Sequence, residues 1–344
     1  MIRIAHLLDD FAMGGVTRSL SLFEDPRIAR RAQSALIPMQ RKAHHAPALE
    51  ADLIVIHVPP CWSRLPYLAA LRLRNPRARI VQVEHSYTRS FEKLRVGSAR
   101  RFRLLLRIAS MLVDQVVAVS HSQADWLAEA GVSRTKITTI HPWSGRFELS
   151  NIPDLEVRNG PLRLLAYGRF SQEKNFASLV KAMKGFRRHD VELTIFGSGP
   201  ERQELELLAQ AIPNVFIHPA CSDPAPWLAD CDAVVLPSKH EAFGLVATEA
   251  RLAGRPILVA NCDGLPEQAR RGGGLVATLD KPRNIAFAIS RLLTRNLPAM
   301  GKAARIGVSS QHDAIIEGWI DVIEASPKQG RMSARLGLPG LAGA

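Results

Sequence analysis

Short runs rich in Val, Ile and Leu alternate along this chain with longer stretches whose apolar positions recur every third or fourth residue. An unbroken apolar run bounded by turn residues marks a strand buried on both faces, and the longer period marks a helix with one buried side. The pattern predicts strands at 3–8, 34–39, 53–58, 79–84, 115–120 and 136–140, with helical segments between them. From 141 to 161 the chain reads HPWSGRFELSNIPDLEVRNGP, rich in turn formers and without a clear period, so a connection between domains is expected there. The pattern then restarts. Strands at 162–167, 191–196, 215–218, 233–236 and 256–260 alternate with helices at 176–186, 200–211 and 243–253. The tract Arg271-Gly272-Gly273-Gly274 turns into one more strand, and helices at 281–294 and 313–325 follow.

Strand–helix alternation implies parallel strands joined by right-handed crossovers, and so an α/β chain of two Rossmann-like, doubly wound lobes. Sheets of this kind bind ligands beyond the carboxyl ends of their strands, which places the expected site in the cleft between the lobes. The expected division is a first lobe over 1–145, a linker over 146–161 and a second lobe over 162–310. A helix over 311–325 is positioned to return to the first lobe, and the basic, Pro/Gly-rich tail 326–344 is expected to be poorly ordered.

With 344 residues the chain can bury two cores, and 47% hydrophobic against 22% charged residues excludes collagen-like and disordered classes. MIRIAHLLDDF lacks a charged segment followed by an unbroken apolar one, so no cleaved secretion signal is expected. The apolar region 104–119 is interrupted by Arg107 and Asp114, and no membrane span is expected there. Cysteines at 61, 221, 231 and 262 show neither metal-ligand pairs nor a disulfide framework, which fits reduced thiols in a cytoplasmic protein.

Charge changes this picture. The net charge is +13, and residues 1–150 hold 22 Lys+Arg against 12 Asp+Glu. Such an excess attracts polyanions: nucleic acid, anionic lipid or a diphosphate. Aromatic residues are only 6% and do not interleave with basic ones, which argues against nucleic acid. In RRFRLLLRIASML, Arg100, Arg103 and Arg107 fall on one helical face beside Leu105, Ile108 and Leu112, an amphipathic arrangement that would suit an anionic membrane surface.

Candidate chemistry concentrates between residues 167 and 249. In YGRFSQEKNF, Gly168 permits a tight exit from a strand, and Arg169 and Lys174 flank a turn into a helix, a combination suited to a diphosphate. The loop Phe196-Gly197-Ser198-Gly199-Pro200 repeats strand, glycine turn and helix, but Arg202 stands where a dinucleotide fingerprint needs its third glycine. Gly14-Gly15 follows the first strand, where glycine admits a phosphate close to the backbone. In LPSKHEAFGLVATEARLAGRPIL, Glu241 and Glu249 stand eight positions apart around Phe243-Gly244-Leu245. With a helix starting near Phe243, both carboxylates would face the cleft and accept hydrogen bonds from paired hydroxyls. Asp230-Cys231-Asp232 matches a D-x-D metal motif but precedes a buried strand instead of lying in an open loop.

The series GRFSQEKNFASLVKA, IFGSGPERQELE, LADCDAVVLPS and EAFGLVATEARLAGRPIL resembles the GT-B-fold retaining glycosyltransferases of family 4, with Glu241 and Glu249 as the E-x7-E signature. LLDDFAMGGVTRSL is similar to the amino-terminal glycine loop of that family, and VVAVSHSQADWLAEAGVSRTKITTI to the last strand-helix-strand unit of its first lobe. The resemblance implies that Arg169 and Lys174 hold a donor diphosphate, with Gly15 and Gly197 close to it. Glu241 and His85, the latter in VEHSYTRSF, would stand beside the transferred sugar. Phe243, Gly244 and Leu245 would bind its hydroxyls through backbone, and Glu249 the nucleoside ribose. It further implies a nucleoside-diphosphate sugar as co-substrate, no metal, no other cofactor, and a glycan or lipid-linked glycan as acceptor at the inner face of the cytoplasmic membrane. A sugar-nucleotide 2-epimerase of the same fold is the alternative. The chain departs from the family at His141-Pro142-Trp143-Ser144, where Asn-Gly is usual, and at Thr17, where an acid is common.

Overall fold

A computed structural model describes residues 1–10, 15–40, 42–157 and 159–326, with the side chain of Arg271 left out. Gly14 and, beyond Ser326, the expected disordered tail lie outside the described residues.

Among the described residues, twelve strands form two sheets. The first contains β1 (Ile2–Leu8), β2 (Ala32–Pro38), β3 (Leu53–Ile56), β4 (Arg79–Glu84), β5 (Gln115–Ala118) and β6 (Ile137–Thr139). The second contains β7 (Leu162–Arg169), β8 (Val191–Ser198), β9 (Val215–Pro219), β10 (Ala233–Leu236), β11 (Ile257–Ala260) and β12 (Gly274–Ala277). The orders are β2-β1-β3-β4-β5-β6 and β12-β11-β10-β7-β8-β9, and every pairing is parallel. In each sheet the order reverses direction beside the first strand of its lobe, which opens a crevice at the carboxyl ends. Helices cover both faces, so Leu53, Ile54, Val55 and Ile56 are all fully buried. This is why the strands read as continuous apolar runs and not as alternating ones.

Several boundaries differ from the periodicity. The strand expected at 34–39 begins at Ala32, and those expected at 53–58 and 115–120 leave the ladder after Ile56 and Ala118. The helix expected over 200–211 shortens to Arg202–Gln210, and that over 176–186 becomes a 3-10 turn after Ala182. Leu297–Ser309 is a helix that the pattern does not show. Its buried face is Gly301, Ala304 and Val308, and a Cβ on Gly301 would meet the Gly254 carbonyl oxygen at 2.2 Å. Close backbone contact requires small residues there, which erases the apolar signature.

The connecting segment packs tightly: Leu149 and Leu155 are buried, and Arg305 donates to the Ile152 carbonyl and pairs with Asp154 at 2.6 Å. The last helix, Gln311–Glu324, lies on the first lobe, with Trp319 edge-on to Phe23 at 4.9 Å and Asp313 paired with Arg27 at 2.7 Å. No helix among the described residues is long and apolar enough to cross a membrane.

Candidate active site

The sheets set two glycine turns side by side. β7 and β8 run two residues beyond their expected ends, and their register aligns Gly168 with Gly197 and Arg169 with Ser198. A Cβ on Gly197 would stand 2.0 Å from the Gly168 carbonyl oxygen, so only glycine lets the two turns close on each other. Arg169 projects from this paired turn, exposed and without an ion pair to any described residue. Lys174 follows in the same loop, just before the Phe176–Ala182 helix.

The segment after β10 differs in one respect from its sequence reading. The helix expected from Phe243 begins at Leu245, because Gly244 takes φ +90°, a conformation outside the helical region. A Cβ on Gly244 would also stand 2.7 Å from the Leu265 side chain. Glu241 is held ahead of this turn. Its carboxylate lies 2.5 Å from Lys174 Nζ and accepts from Ser238 Oγ at 3.2 Å, while its backbone N–H donates to Asp263 at 3.1 Å.

Glu249, on the same helix, is only 3% exposed. Tyr167 Oη donates to it at 2.6 Å, and the guanidinium groups of Arg146 and Arg18 lie 3.5 and 3.9 Å away. Burial raises its pKa above the ordinary value, while the tyrosine hydrogen bond and the two arginines act the other way.

These groups share a cavity of about 800 Å³ between the lobes. Gly15, His85, Arg169, Lys174, Gly197, Glu241, Phe243, Gly244, Leu245 and Glu249, all singled out from sequence, line it together. Tyr167, Arg18 and Arg146 line it too and were not singled out. Tyr167 ends an apolar run and reads as core, and Arg146 stands in the segment without period. Only proximity to Glu249 reveals them.

The lobes are docked by carboxylates of the second lobe that cap helices of the first. Asp263 accepts from Thr88 Oγ1 at 2.8 Å and from Ser90 N at 3.0 Å, and Glu267 accepts from His121 N and Ser122 N at 3.1 and 2.6 Å. Ligand atoms of His121, His141 and Glu267 come within 4.8 Å of one another, but both Glu267 oxygens are engaged by those backbone donors. The D-x-D carboxylates lie away from the cavity, Asp230 on Arg163 at 2.5 Å and Asp232 accepting from Arg163 N at 2.8 Å.

The basic helix of the first lobe, Ala99–Met111, is also partly committed. Arg103 makes a two-pronged contact with Glu92 at 2.7 and 3.0 Å, and Arg107 Nε donates to the Ala130 carbonyl at 3.2 Å. Leu105 is buried and Leu112 is half-buried against the lobe's own core, and Ile108 is half-buried, so the apolar stripe does not face outward. Arg100, Arg101 and Arg107 are exposed residues. The free cationic face is therefore not the expected Arg100, Arg103 and Arg107, since Arg103 is bound to Glu92.

Family models agree with this layout. Residues 161–295 match the model described as Glycosyl transferases group 1, and residues 14–143 match Glycosyltransferase Family 4. The chain belongs to glycosyltransferase family 4. The family 4 chain is 30% identical over 236 residues to D-inositol 3-phosphate glycosyltransferase 1 of Catenulispora acidiphila, covering 61% of this chain and 55% of that one. It is 28% identical over 225 residues to the lipopolysaccharide core biosynthesis glycosyltransferase LpsE of Rhizobium meliloti, covering 62% and 65%. The chain spans about half the length of the curated relatives it matches. Among solved structures, Anabaena HepE in complex with UDP and glucose superposes with a TM-score of 0.75 at 18% identity, over 94% of this chain and all of that one. The family 4 chain thus has the GT-B fold, with two six-stranded parallel sheets facing one cavity.

Proposed function

We propose that this chain is a retaining glycosyltransferase that moves a hexose from a nucleoside diphosphate to a hydroxyl of a glycan or lipid-linked glycan, without a metal. The observation that carries the reading is the single cavity that collects two cations at a glycine turn, Arg169 and Lys174, with two carboxylates, Glu241 and Glu249. The cations and the backbone N–H groups opening the Leu245–Leu252 helix receive the diphosphate and stabilise the charge that develops on it as it departs. Glu249, fixed by Tyr167, accepts from the ribose hydroxyls, and Glu241 from the sugar, with the backbone of Phe243, Gly244 and Leu245 beside it. His85 and Gly15 approach from the first lobe. Transfer proceeds on the face the diphosphate leaves, and its oxygen takes the acceptor proton, so the anomeric configuration is kept.

The lipopolysaccharide-core role in the name of LpsE supports a glycan or lipid-linked acceptor. Such an acceptor brings the first lobe to the inner face of the cytoplasmic membrane, where the exposed Arg100, Arg101 and Arg107 meet anionic headgroups.

The test is a panel of nucleotide sugars incubated with and without candidate acceptor glycans. Nucleoside diphosphate release that depends on acceptor, with retained configuration in the product, supports the reading. Conversion of donor alone to its 2-epimer would replace it with the epimerase reading.

A further inference from the structure

Three histidines of the first lobe form a connected line for which the reading above uses only the last. His6 stands in β1, and His57 and His85 directly follow β3 and β4, the next two strands of the sheet. Leu7 is in register with Ile56 and Ile56 with Gln82, so His57 is level with Leu8 and with Val83. Alternate residues of a strand share a face, so His6, His57 and His85 lie on the same face, each two positions nearer the carboxyl edge than the one before. The staircase ends at the cavity. His6 Nδ1 is 3.0 Å from His57 Nε2, and His57 Nδ1 is 3.0 Å from His85 Nε2.

Two neutral proton arrangements satisfy both contacts. If each ring carries its proton on Nε2, His6 buries an N–H that has no acceptor among the described residues, beside the Phe23 ring at 4.4 Å. If each carries it on Nδ1, His6 donates to His57, His57 donates to His85, and only a lone pair is left in the apolar end. An N–H stripped of water without an acceptor is the rarer and costlier of the two termini. We propose that His57 and His6 are positioning residues that hold His85 in its Nδ1–H tautomer, so that a neutral imidazole offers an N–H to a hydroxyl oxygen of the ligand in the cavity. Burial keeps the line uncharged: it pushes His6 down to about 3, His85 to about 4 and His57 well below its usual value. The oxygen's identity rests on the donor-site reading; the tautomer does not.

The experiment is a nitrogen-15 spectrum of histidine-labelled protein at pH 7, assigned by single variants, which separates Nδ1–H, Nε2–H and imidazolium forms. The expected result is Nδ1–H at all three residues. His57→Leu removes the donor to His85 and shifts its tautomer ratio toward Nε2–H by roughly fivefold or more, whereas His57→Asn, whose amide N–H replaces Nδ1–H, restores it. A wild-type His85 in the Nε2–H or imidazolium form would overturn the proposal without any variant, and so would an unchanged His85 signal in folded His57→Leu. Calorimetry with UDP, GDP and ADP on the same samples keeps the two readings apart. Nδ1–H at His85 in a protein that binds none of them would uphold the tautomer and count against the donor site.

Discussion

Lys174 Nζ lies 2.5 Å from Glu241 Oε2, joining the loop after β7 to the loop that precedes the Leu245–Leu252 helix. The two side chains are both largely covered, so the ammonium is directed into the cavity instead of swinging in solvent. Arg169, in the same loop, is exposed and has no such partner among the described residues. Both cations line the cavity, but among the described residues only Lys174 is tied to a carboxylate.

Arg169→Ala and Lys174→Ala should each weaken nucleoside diphosphate binding by about ten- to a hundredfold, the range of one charge-assisted hydrogen bond. Lys174→Ala should also lower stability, because Glu241 loses its counter-charge, whereas Arg169→Ala should not. Calorimetry and thermal melts read the two effects separately. Unchanged affinity in both variants would remove the diphosphate from this loop.

The Tyr167 hydroxyl donates to the buried Glu249 carboxylate at 2.6 Å. Tyr167→Phe should cost about 1–3 kcal/mol of stability, since a buried acceptor is left short of a partner. It should weaken nucleoside diphosphate binding as well, because the carboxylate is no longer held. Denaturant unfolding at pH 7 and calorimetry test both. A stability equal to wild type would mean that Arg18 and Arg146 alone hold Glu249.

Glu84, next to His85 in sequence but on the opposite face of the sheet, offers a stability test. It is buried at the end of β4, accepts from Ser86 N and Tyr87 N at 2.9 Å, and burial raises its pKa to about 7 from 4.5. The folded protein therefore binds more protons than the unfolded chain between pH 4.5 and 7. Stability from this group is present below pH 4.5 and is lost as pH rises through 7. Glu84→Gln should match wild type near pH 4.5 and gain up to about 3 kcal/mol on it by pH 8, measured by denaturant unfolding across that range. A constant difference at all pH values would contradict this.

The proposed membrane attachment would draw on a reduced set of cations. With Arg103 held by Glu92, the exposed Arg100, Arg101 and Arg107 remain, each worth about 1 kcal/mol at an anionic surface before screening. The protein should co-sediment with anionic vesicles and not with zwitterionic ones, and lose binding as salt rises. Arg100, Arg101 and Arg107 changed together to Glu should abolish this, while Arg103→Glu should instead destabilise the fold. Equal binding to neutral vesicles, or none to either, would leave the helix as a solvated face.

Strand positions and many cavity-lining residues were readable because the signals are local. Apolar runs such as LIVI at β3 need no partner to be recognised, and glycine turns at Gly168 and Gly197 announce themselves by residue type. The contacts that complete the site were not readable, since they depend on which distant residues the lobes bring together. Tyr167 reaches Glu249 across 82 positions, and Arg146 reaches it from a segment with no period. The Arg103–Glu92 pair, only 11 positions apart, was hidden because it joins two successive helices, and it withdraws one arginine from a face that helical spacing alone makes continuous.

On the proposed function, this cavity binds a nucleoside diphosphate without a metal. The direct measurement is calorimetric titration of the protein with UDP, GDP, ADP and dTDP in excess EDTA, repeated with Arg169→Ala. One of these should bind with EDTA present, and Arg169→Ala should weaken it by about ten- to a hundredfold. Binding of none of the four, or binding seen only after Mg2+ or Mn2+ is restored, would contradict it.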